Sequence, residues 1–569
     1  MIKEKYELWL KNAVKDPDLI KELKEIKDDE NAVNDAFYTD LEFGTAGLRG
    51  VIGAGCNRMN VYTVAQATQG LAQYVLSQSD KPSVAIAYDS RIKSDLFART
   101  TAEVFAANGV KVYIYKELMP TPMLSFAIRY LKCDAGVVVT ASHNPSKYNG
   151  YKAYDETGCQ LGPEAADYVL NIMQSVDIFT GVKTSDFDEG LKSGIIEYIG
   201  EDVINAFLDR VESSRVSKNM DLSNLKIIYT PLNGTGNKPV RRILDRIGIK
   251  NIEVVKEQEN PDGNFPTVPY PNPEIKQVFE IALEMAKSYN PDILLATDPD
   301  CDRVGIAVNV NGNYELFSGN DVGVLLLYYM LSVKKETGKL PKNPVAVTTI
   351  VSTGMCKKIA ADFGCKLIET LTGFKFIGEQ ITELAKTNEQ DRYILGFEES
   401  YGYLAGSYVR DKDAVTASML ICEMTAYYKS KGKNLKQVLF ELYEKYGYFF
   451  CAQKSFTCEG QSGIEKIKGI TEELRANPPA EIAGSKVAVI KDIKTSVCKN
   501  LKTNEETKIN LPKSNVLCYY LEDGDSLIVR PSGTEPKIKI YIGAVSDSCE
   551  KAEKRREEII NAGTKLLGF

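Results

Sequence analysis

The sequence predicts an α/β fold built from several domains, and three observations carry that prediction. Short β-branched runs alternate with helix-length amphipathic stretches from Val64 onward, the pattern of parallel β-α-β units. Four apolar runs open into polar, turn-rich loops, TASHNP, DPDCDR, GFEESYG and RPSGTEP. This weak internal repeat implies three related α/β blocks and a different fourth, their loops facing one cleft. With 569 residues the chain is too long for one core and suits about three to five domains.

Composition narrows the function classes. The hydrophobic fraction is 44%, and no apolar run approaches the ~20 residues that span a bilayer. The first residues, MIKEKYELWLKNAVKDPD, are charged and amphipathic rather than a basic head before an apolar core, so a cytoplasmic protein with no membrane partner is expected. A net charge of -7 without a long basic run argues against a nucleic-acid partner. Twelve cysteines are scattered with no C-x-x-C pair, so reduced, mostly buried thiols are expected, among them Cys133, Cys422 and Cys518.

Taken in order, residues 1–36 read as two helices, the first with Trp9, Leu10 and Ala13 on one side, the second capped around Asp16 and carrying Leu19, Leu23 and Ile26. FGTAGLRG, Phe43 to Gly50, reads as a glycine-rich loop whose Arg49 could fork onto a phosphate. Next come a helix Val64–Ser77, strand Val84–Tyr88, helix Asp95–Asn108, strand Lys111–Tyr115, a helix after Pro122, and the strand Gly136–Val139 entering Ser142. Asn149 and Gly150 read as turn chemistry. The second block has strands Lys226–Tyr229, Ile252–Val255 and Ile293–Ala296 around a helix Arg241–Ile247; the third has a helix Val322–Leu331 and strands Val345–Ile350 and Tyr393–Gly396. The fourth holds strands Lys486–Ile490 and Leu527–Val529 and a terminal helix Ser548–Leu567.

The loops are read by their chemistry. Ser142 is expected just past a strand end, on an exposed loop, and reads either as a surface turn or as a nucleophile. His143 beside it is the only histidine, which excludes a triad using any other imidazole and a multi-histidine metal site. Asp298, Asp300 and Asp302 alternate, so three carboxylates can converge on one hard cation, Mg²⁺ fitting better than an EF-hand Ca²⁺. A haloacid-dehalogenase-like D-x-D loop is the alternative. Lys152 and Arg303 would add positive charge. Glu398 and Ser400 could bond adjacent sugar hydroxyls, Arg410, Lys412 and Asp413 would bring charge to the same mouth, and Arg530, Ser532, Gly533 and Thr534 form a compact anion nest.

With these residues in view, the chain resembles the α-D-phosphohexomutase superfamily, and within it the longer phosphoglucomutase/phosphomannomutase family members. TASHNP, DPDCDR, GFEES and RPSGTEP are similar, in order, to that family's phosphoserine, metal, sugar and phosphate loops. The resemblance implies three mixed α/β domains and a TATA-binding-protein-like α+β fourth domain around a central cleft, divided here as 1–204, 205–319, 320–450 and 451–569. It implies that Ser142 is phosphorylated, that Ser142, Asp298, Asp300 and Asp302 hold Mg²⁺, and that Arg49, Lys152 and Arg303 line the reaction centre. It further implies that Glu398 and Ser400 grip the sugar, and that Arg530, Ser532, Gly533 and Thr534 hold the distal phosphate. Tyr401 and Gly402 stand where some relatives have a histidine, so Lys412 is assigned as acid/base and His143 as a hydrogen-bonding support. TGFK, with Thr372, Gly373 and Lys375, looks glucomutase-like.

The function expected from the resemblance is interconversion of glucose 1-phosphate and glucose 6-phosphate through a hexose 1,6-bisphosphate, primed by glucose 1,6-bisphosphate. Mannose or pentose phosphates, a sugar-bisphosphate synthase and a non-catalytic sugar-phosphate sensor are the alternatives.

Overall fold

The computed structural model describes residues 2–44, 47–458, 460–532 and 537–569. Its chain forms two compact units, one of residues 1–318, 377–395 and 400–432, the other of residues 319–376, 396–399 and 433–569. Each is described in turn.

The first unit contains two sheets. The first runs in the order Gly47–Val51, Tyr148–Asp155, Ala135–Val139, Ser83–Tyr88, Lys111–Tyr115, Ile196–Ile199. Its middle is parallel, Ser83–Tyr88 pairing with both Lys111–Tyr115 and Ala135–Val139. Such pairs need crossovers, which the helices Ser94–Ala107 and Thr121–Leu131 supply. Both faces of these strands are covered: Val84, Ile86, Val137 and Val139 are buried in one core, and Ala85, Ala87 and Val138, on the opposite face, are buried as well. The second sheet runs Asn313–Phe317, Val304–Val310, Ile293–Thr297, Lys226–Thr230, Asn251–Val254, again parallel in the middle.

Two return strands were not expected. Tyr148–Asp155 runs antiparallel to Ala135–Val139, with Lys152 opposite Val138, and Val304–Val310 runs antiparallel to Ile293–Thr297. Asn149 and Gly150, read as a turn, therefore lie within a strand. The glycine-rich stretch is also strand in part. Gly47–Val51 pairs with Tyr148–Asp155, Arg49 opposite Gly150, and Gly47 has φ 142° with space for no Cβ, which would stand 1.8 Å from Tyr151 O. Thr45 and Ala46 lie outside the described residues.

The N-terminal segment makes three helices, not two: Ile2–Asn12, Pro17–Glu25 and Glu30–Phe37. Asp16 caps the second by accepting from Asp18 N, and Asp29 caps the third by accepting from Asn31 N and Ala32 N. Trp9 and Ala13 are buried, but Leu10 faces solvent. Trp9 packs edge-on against Phe37, Tyr62 and Phe179, which ties this brace to the helix Val61–Gln78.

In the second unit, Val345–Thr349 pairs in parallel with Lys366–Thr370, beside the helices Gly319–Glu336 and Met355–Asp362. The C-terminal part is an antiparallel sheet in the order Tyr448–Thr457, Lys537–Ser546, Ser526–Pro531, Leu517–Leu521, Ser485–Asp492, Val497–Asn500, Glu506–Lys508. The helices Gly460–Ala476 and Cys549–Leu566 bury Ile467, Leu474 and Ile559 with one face of that sheet. Segregating helices from an antiparallel sheet is the α+β arrangement expected of a fourth domain.

All twelve cysteines are unpaired, nine of them buried, including Cys133, Cys422 and Cys518. No helix among the described residues is long and apolar enough to cross a membrane. Trp9→Ala should cost about 3–5 kcal/mol of stability by emptying the aromatic contact between the brace and the helix Val61–Gln78. Denaturant unfolding followed by far-UV circular dichroism checks this, and an unshifted first transition would contradict it.

Candidate functional site

The strand Ala135–Val139 delivers the chain into Thr140, whose Oγ1 accepts from Ser142 N at 2.8 Å. This bond supports Ser142 in the left-handed region at φ 51°, an uncommon conformation for a residue with a Cβ. Ser142 is 4% exposed, so the expected exposed loop serine is in fact buried. Its hydroxyl donates to Asp298 Oδ2 at 2.8 Å and lies 3.2 Å from His143 Nδ1.

The metal-type loop is the turn between Ile293–Thr297 and its return strand Val304–Val310. Asp298, Asp300 and Asp302 are buried there, each offering an oxygen within 4.8 Å of the others. Local bonds hold the turn. Asp298 Oδ1 accepts from the backbone N–H of Asp302 at 3.0 Å and of Arg303 at 2.9 Å. Thr121 clips Asp300 twice, its Oγ1 donating to Oδ2 at 3.0 Å and its N–H to the carbonyl at 2.9 Å.

Charge decides the rest of the geometry. Lys152 Nζ sits 2.9 Å from Asp300 Oδ2 and 3.6 Å from Asp302 Oδ2. Lys412 Nζ lies 3.1 Å from Asp302 Oδ2 and 3.0 Å from Asp411 Oδ1. Burial, and then the charges of Asp300 and Asp302, push the Asp298 carboxyl well up. Burial also opposes ionisation of Asp300, but Lys152 outweighs it and holds that carboxyl below the usual range. Burial works against the Lys152 ammonium, yet Asp300 and Asp302 raise its pKa. His143 is pushed well down by burial and by Arg303 and Arg49, which favours a neutral imidazole.

The donor set fits a hard divalent cation. Asp300 Oδ1 and Asp302 Oδ1 are buried without a hydrogen-bond partner among the described residues, a costly state for carboxylate oxygens. Three carboxylates with a hydroxyl alongside are oxygen-only ligands. Asp298, Asp300 and Asp302, with Ser142 beside them, are the residues that could hold it.

Arg303 donates to Glu274 Oε1 at 3.0 Å, and its Nε stands 3.8 Å from Asp302 Oδ1. Arg49 projects from an edge strand and is exposed. Arg410 and Asp413 do not bring charge to the site as expected. Arg410 is buried and donates to Thr382 Oγ1 and the carbonyls of Ser407 and Val409, while Asp413 caps the helix Ala414–Ser430. Ser400 is half-buried in the turn after Tyr393–Glu398. In the second unit, Glu398 is buried at that strand's end. Gly373, at φ 119°, precedes the helix starting at Phe374, Thr372 Oγ1 is buried, and Lys375 is half-buried. Arg530 Nη1 donates to Tyr541 OH at 3.4 Å, and Ser532 N–H to Lys537 O at 2.8 Å. Gly533 and Thr534 lie outside the described residues.

Several site residues escaped the sequence reading. Asp411 accepts from Tyr154 OH at 2.7 Å and Gln160 Nε2 at 3.2 Å and so fixes the carboxylate that holds Lys412. It adjoins a singled-out lysine, so proximity could have found it. Thr121 and Glu274 carry no sequence signal. Arg91 does, since AYDSR is another apolar strand opening into a charged loop.

Against known proteins, residues 40–178, 204–312 and 318–446 match the family descriptions Phosphoglucomutase/phosphomannomutase, alpha/beta/alpha domains I, II and III, and residues 471–562 match the C-terminal domain of the same family. The phosphoglucomutase of Staphylococcus epidermidis is 38% identical over 530 residues, 92% of this chain and 94% of that protein. That of Staphylococcus saprophyticus is 34% identical over 551 residues, 97% of this chain and 98% of that protein. Among solved structures, pp63/parafusin (phosphoglucomutase) from Paramecium superposes with a TM-score of 0.68 at 18% identity, covering 93% of this chain and 96% of that one.

A divalent cation should raise the melting temperature of the wild-type protein, since a ligand at a hundred times its Kd adds about 2.7 kcal/mol. Asp300→Asn should lose most of that gain. Thermal unfolding with and without MgCl₂ tests this, and an equal shift in both proteins would remove Asp300 from the cation site.

Proposed function

The chain belongs to the phosphoglucomutase/phosphomannomutase family, and on that premise we propose that it interconverts glucose 1-phosphate and glucose 6-phosphate through a phosphoserine at Ser142. The observation that carries this reading is the hydroxyl of Ser142 donating to Asp298 within a buried cluster of three aspartates. The oxygen ligands gathered beside Ser142 suit a cation that would neutralise transferring phosphoryl oxygens, which is what a phosphoryl carrier needs. The naming of the Staphylococcus relatives as phosphoglucomutases supports the choice of sugar.

In this reading Asp298, Asp300, Asp302 and the phosphorylated Ser142 hold Mg²⁺. When bound, the ion supplies charge neutralisation and orientation of the phosphoryl oxygens. A sugar hydroxyl attacks the phosphorus, the bond to Ser142 Oγ breaks, and the phosphoryl group passes to the sugar to give glucose 1,6-bisphosphate. The bisphosphate turns over, and Ser142 takes the other phosphoryl group from it. Glucose 1,6-bisphosphate is therefore also the primer of an unphosphorylated chain. Lys412, held between Asp302 and Asp411, is the group through which the proton leaves the attacking hydroxyl, and Ser142 Oγ ends the step carrying a proton. Lys152, Arg303 and Arg49 supply positive charge where negative charge develops, and His143 supports the serine. Glu398, Ser400, Thr372, Gly373 and Lys375 grip the sugar, and Arg530, Ser532, Gly533 and Thr534 the phosphate that is not reacting. The division at residues 204, 319 and 450 and a cytoplasmic location belong to the same reading, the latter supported by twelve unpaired thiols.

Ser142→Ala should lose mutase activity by on the order of 10⁴-fold or more, and keep its fold at a cost of about 1–3 kcal/mol for the lost buried bond. A coupled assay of glucose 1-phosphate conversion with Mg²⁺ and glucose 1,6-bisphosphate checks it, and near-normal turnover would sink the phosphoserine mechanism. The same assay run with mannose and ribose 1-phosphates should give lower kcat/KM than glucose 1-phosphate. A preference for either would reassign the substrate.

A further inference from the structure

The serine loop turns its backbone inward. The carbonyl oxygens of Ser142, Asn144, Pro145 and Tyr148 all point at one guanidinium, that of Arg91. Its Nη2 donates to Ser142 O and Asn144 O, and its Nη1 donates to Pro145 O and Tyr148 O at 2.9 Å each. Arg91 is 3% exposed, its Nε is 3.5 Å from Asp89 Oδ2, and the ring of Phe265 lies 5.1 Å from its Cζ. Asp89 Oδ1 in turn accepts from Arg91 N at 2.9 Å and Ser94 Oγ at 2.7 Å. Among the described residues Arg91 makes no hydrogen bond to the Ser142 hydroxyl, so what it holds is the backbone.

The same relation recurs where the fold repeats. In the second α/β domain the loop after Lys226–Thr230 grips the metal-type loop, Thr235 donating from N and Oγ1 to Pro299 O at 2.8 and 3.0 Å. Gly234 lies so close that a Cβ there would stand 2.4 Å from Pro299 Cα. In the second unit the end of the strand Val345–Thr349 is placed similarly, Thr349 Oγ1 donating to Glu399 Oε2 at 3.1 Å. Of these three contacts among the described residues, the one in the first domain is made by a buried charge. Four carbonyl oxygens converging on one point suit a cationic donor with several N–H groups. The planar fork of arginine matches them in pairs, which the single ammonium of lysine does not.

We infer that Arg91 is a positioning residue for Ser142. By fixing four carbonyls of the loop it sets the left-handed turn at Ser142, and with it the line from Oγ to the three aspartates. This rests on the reading of Ser142 as phosphoryl carrier.

The test compares Arg91→Lys and Asp89→Asn with Phe105→Leu, a core truncation further along the helix Ser94–Ala107. For each, Ser142 phosphate after incubation with glucose 1,6-bisphosphate is measured by mass spectrometry, with kcat, KM and melting temperature alongside. Arg91→Lys should lower kcat about a hundredfold, the size of effect that a misplacement near 1 Å produces, with KM moved by less than about threefold. Phe105→Leu should lower the melting temperature and leave kcat unchanged. A folded Arg91→Lys protein with wild-type kcat overturns the inference, as does a kcat loss in Phe105→Leu matching its own. If Arg91→Lys does not fold, Asp89→Asn decides: a kcat loss of about tenfold at unchanged KM supports positioning, and wild-type kcat overturns it. A wild-type protein that never acquires phosphate on Ser142 rejects the phosphoserine reading itself, a result distinct from normal turnover by a phosphorylated Arg91→Lys protein.

Discussion

Three carboxylates forced into one buried turn are the constraint on which the rest of the first unit depends. Like charges within 4.8 Å in a medium less polarisable than water repel strongly, and each also loses hydration. The chain answers from several directions. Lys152 reaches in from the return strand of the first sheet and Lys412 from the segment before the helix Ala414–Ser430. Thr121 and the backbone N–H groups of Asp302 and Arg303 take up individual oxygens. Even so, two carboxylate oxygens stay unpartnered among the described residues, the signature of a site shaped for something further. Burial and the charges of Asp300 and Asp302 push the Asp298 carboxyl up, while Lys152 holds that of Asp300 down against its own burial.

The second device is the hairpin. In the first two α/β domains the working loop does not lead to a helix. It connects the end of a central parallel strand to an antiparallel partner that returns alongside it, Ala135–Val139 to Tyr148–Asp155 and Ile293–Thr297 to Val304–Val310. A loop pinned at both ends by sheet hydrogen bonds has less freedom to lose when it binds a ligand. It also carries residues on both limbs, which is how Ser142 and Lys152 come to the same three aspartates from one hairpin.

Much of this was legible in the sequence because it is written locally. The β-branched run before Ser142 forms a strand, and the three alternating aspartates converge in one turn. What was not legible is tertiary. Asn149 and Gly150 have turn propensity, but pairing on both sides, with Gly47–Val51 and Ala135–Val139, overrides it. Ser142 looks like a surface residue because its neighbours are polar, yet its hydroxyl turns to Asp298 and the backbone carbonyls of its loop turn to Arg91. Thr121 and Glu274 matter only through partners 179 and 29 residues away, and nothing in their own surroundings announces it. The third N-terminal helix was missed for a different reason: it is eight residues long and rests on the cap of Asp29, too short for its periodicity to stand out.

The chain's one imidazole belongs to His143, with Nδ1 3.2 Å from Ser142 Oγ, and its one indole belongs to Trp9 in the N-terminal brace. The molecule therefore carries two intrinsic spectroscopic labels that never overlap. Every histidine ring resonance is a signal from beside the serine, and every tryptophan photon comes from the packing of the brace, so local events at the site and loosening of the scaffold can be watched separately in the unlabelled protein.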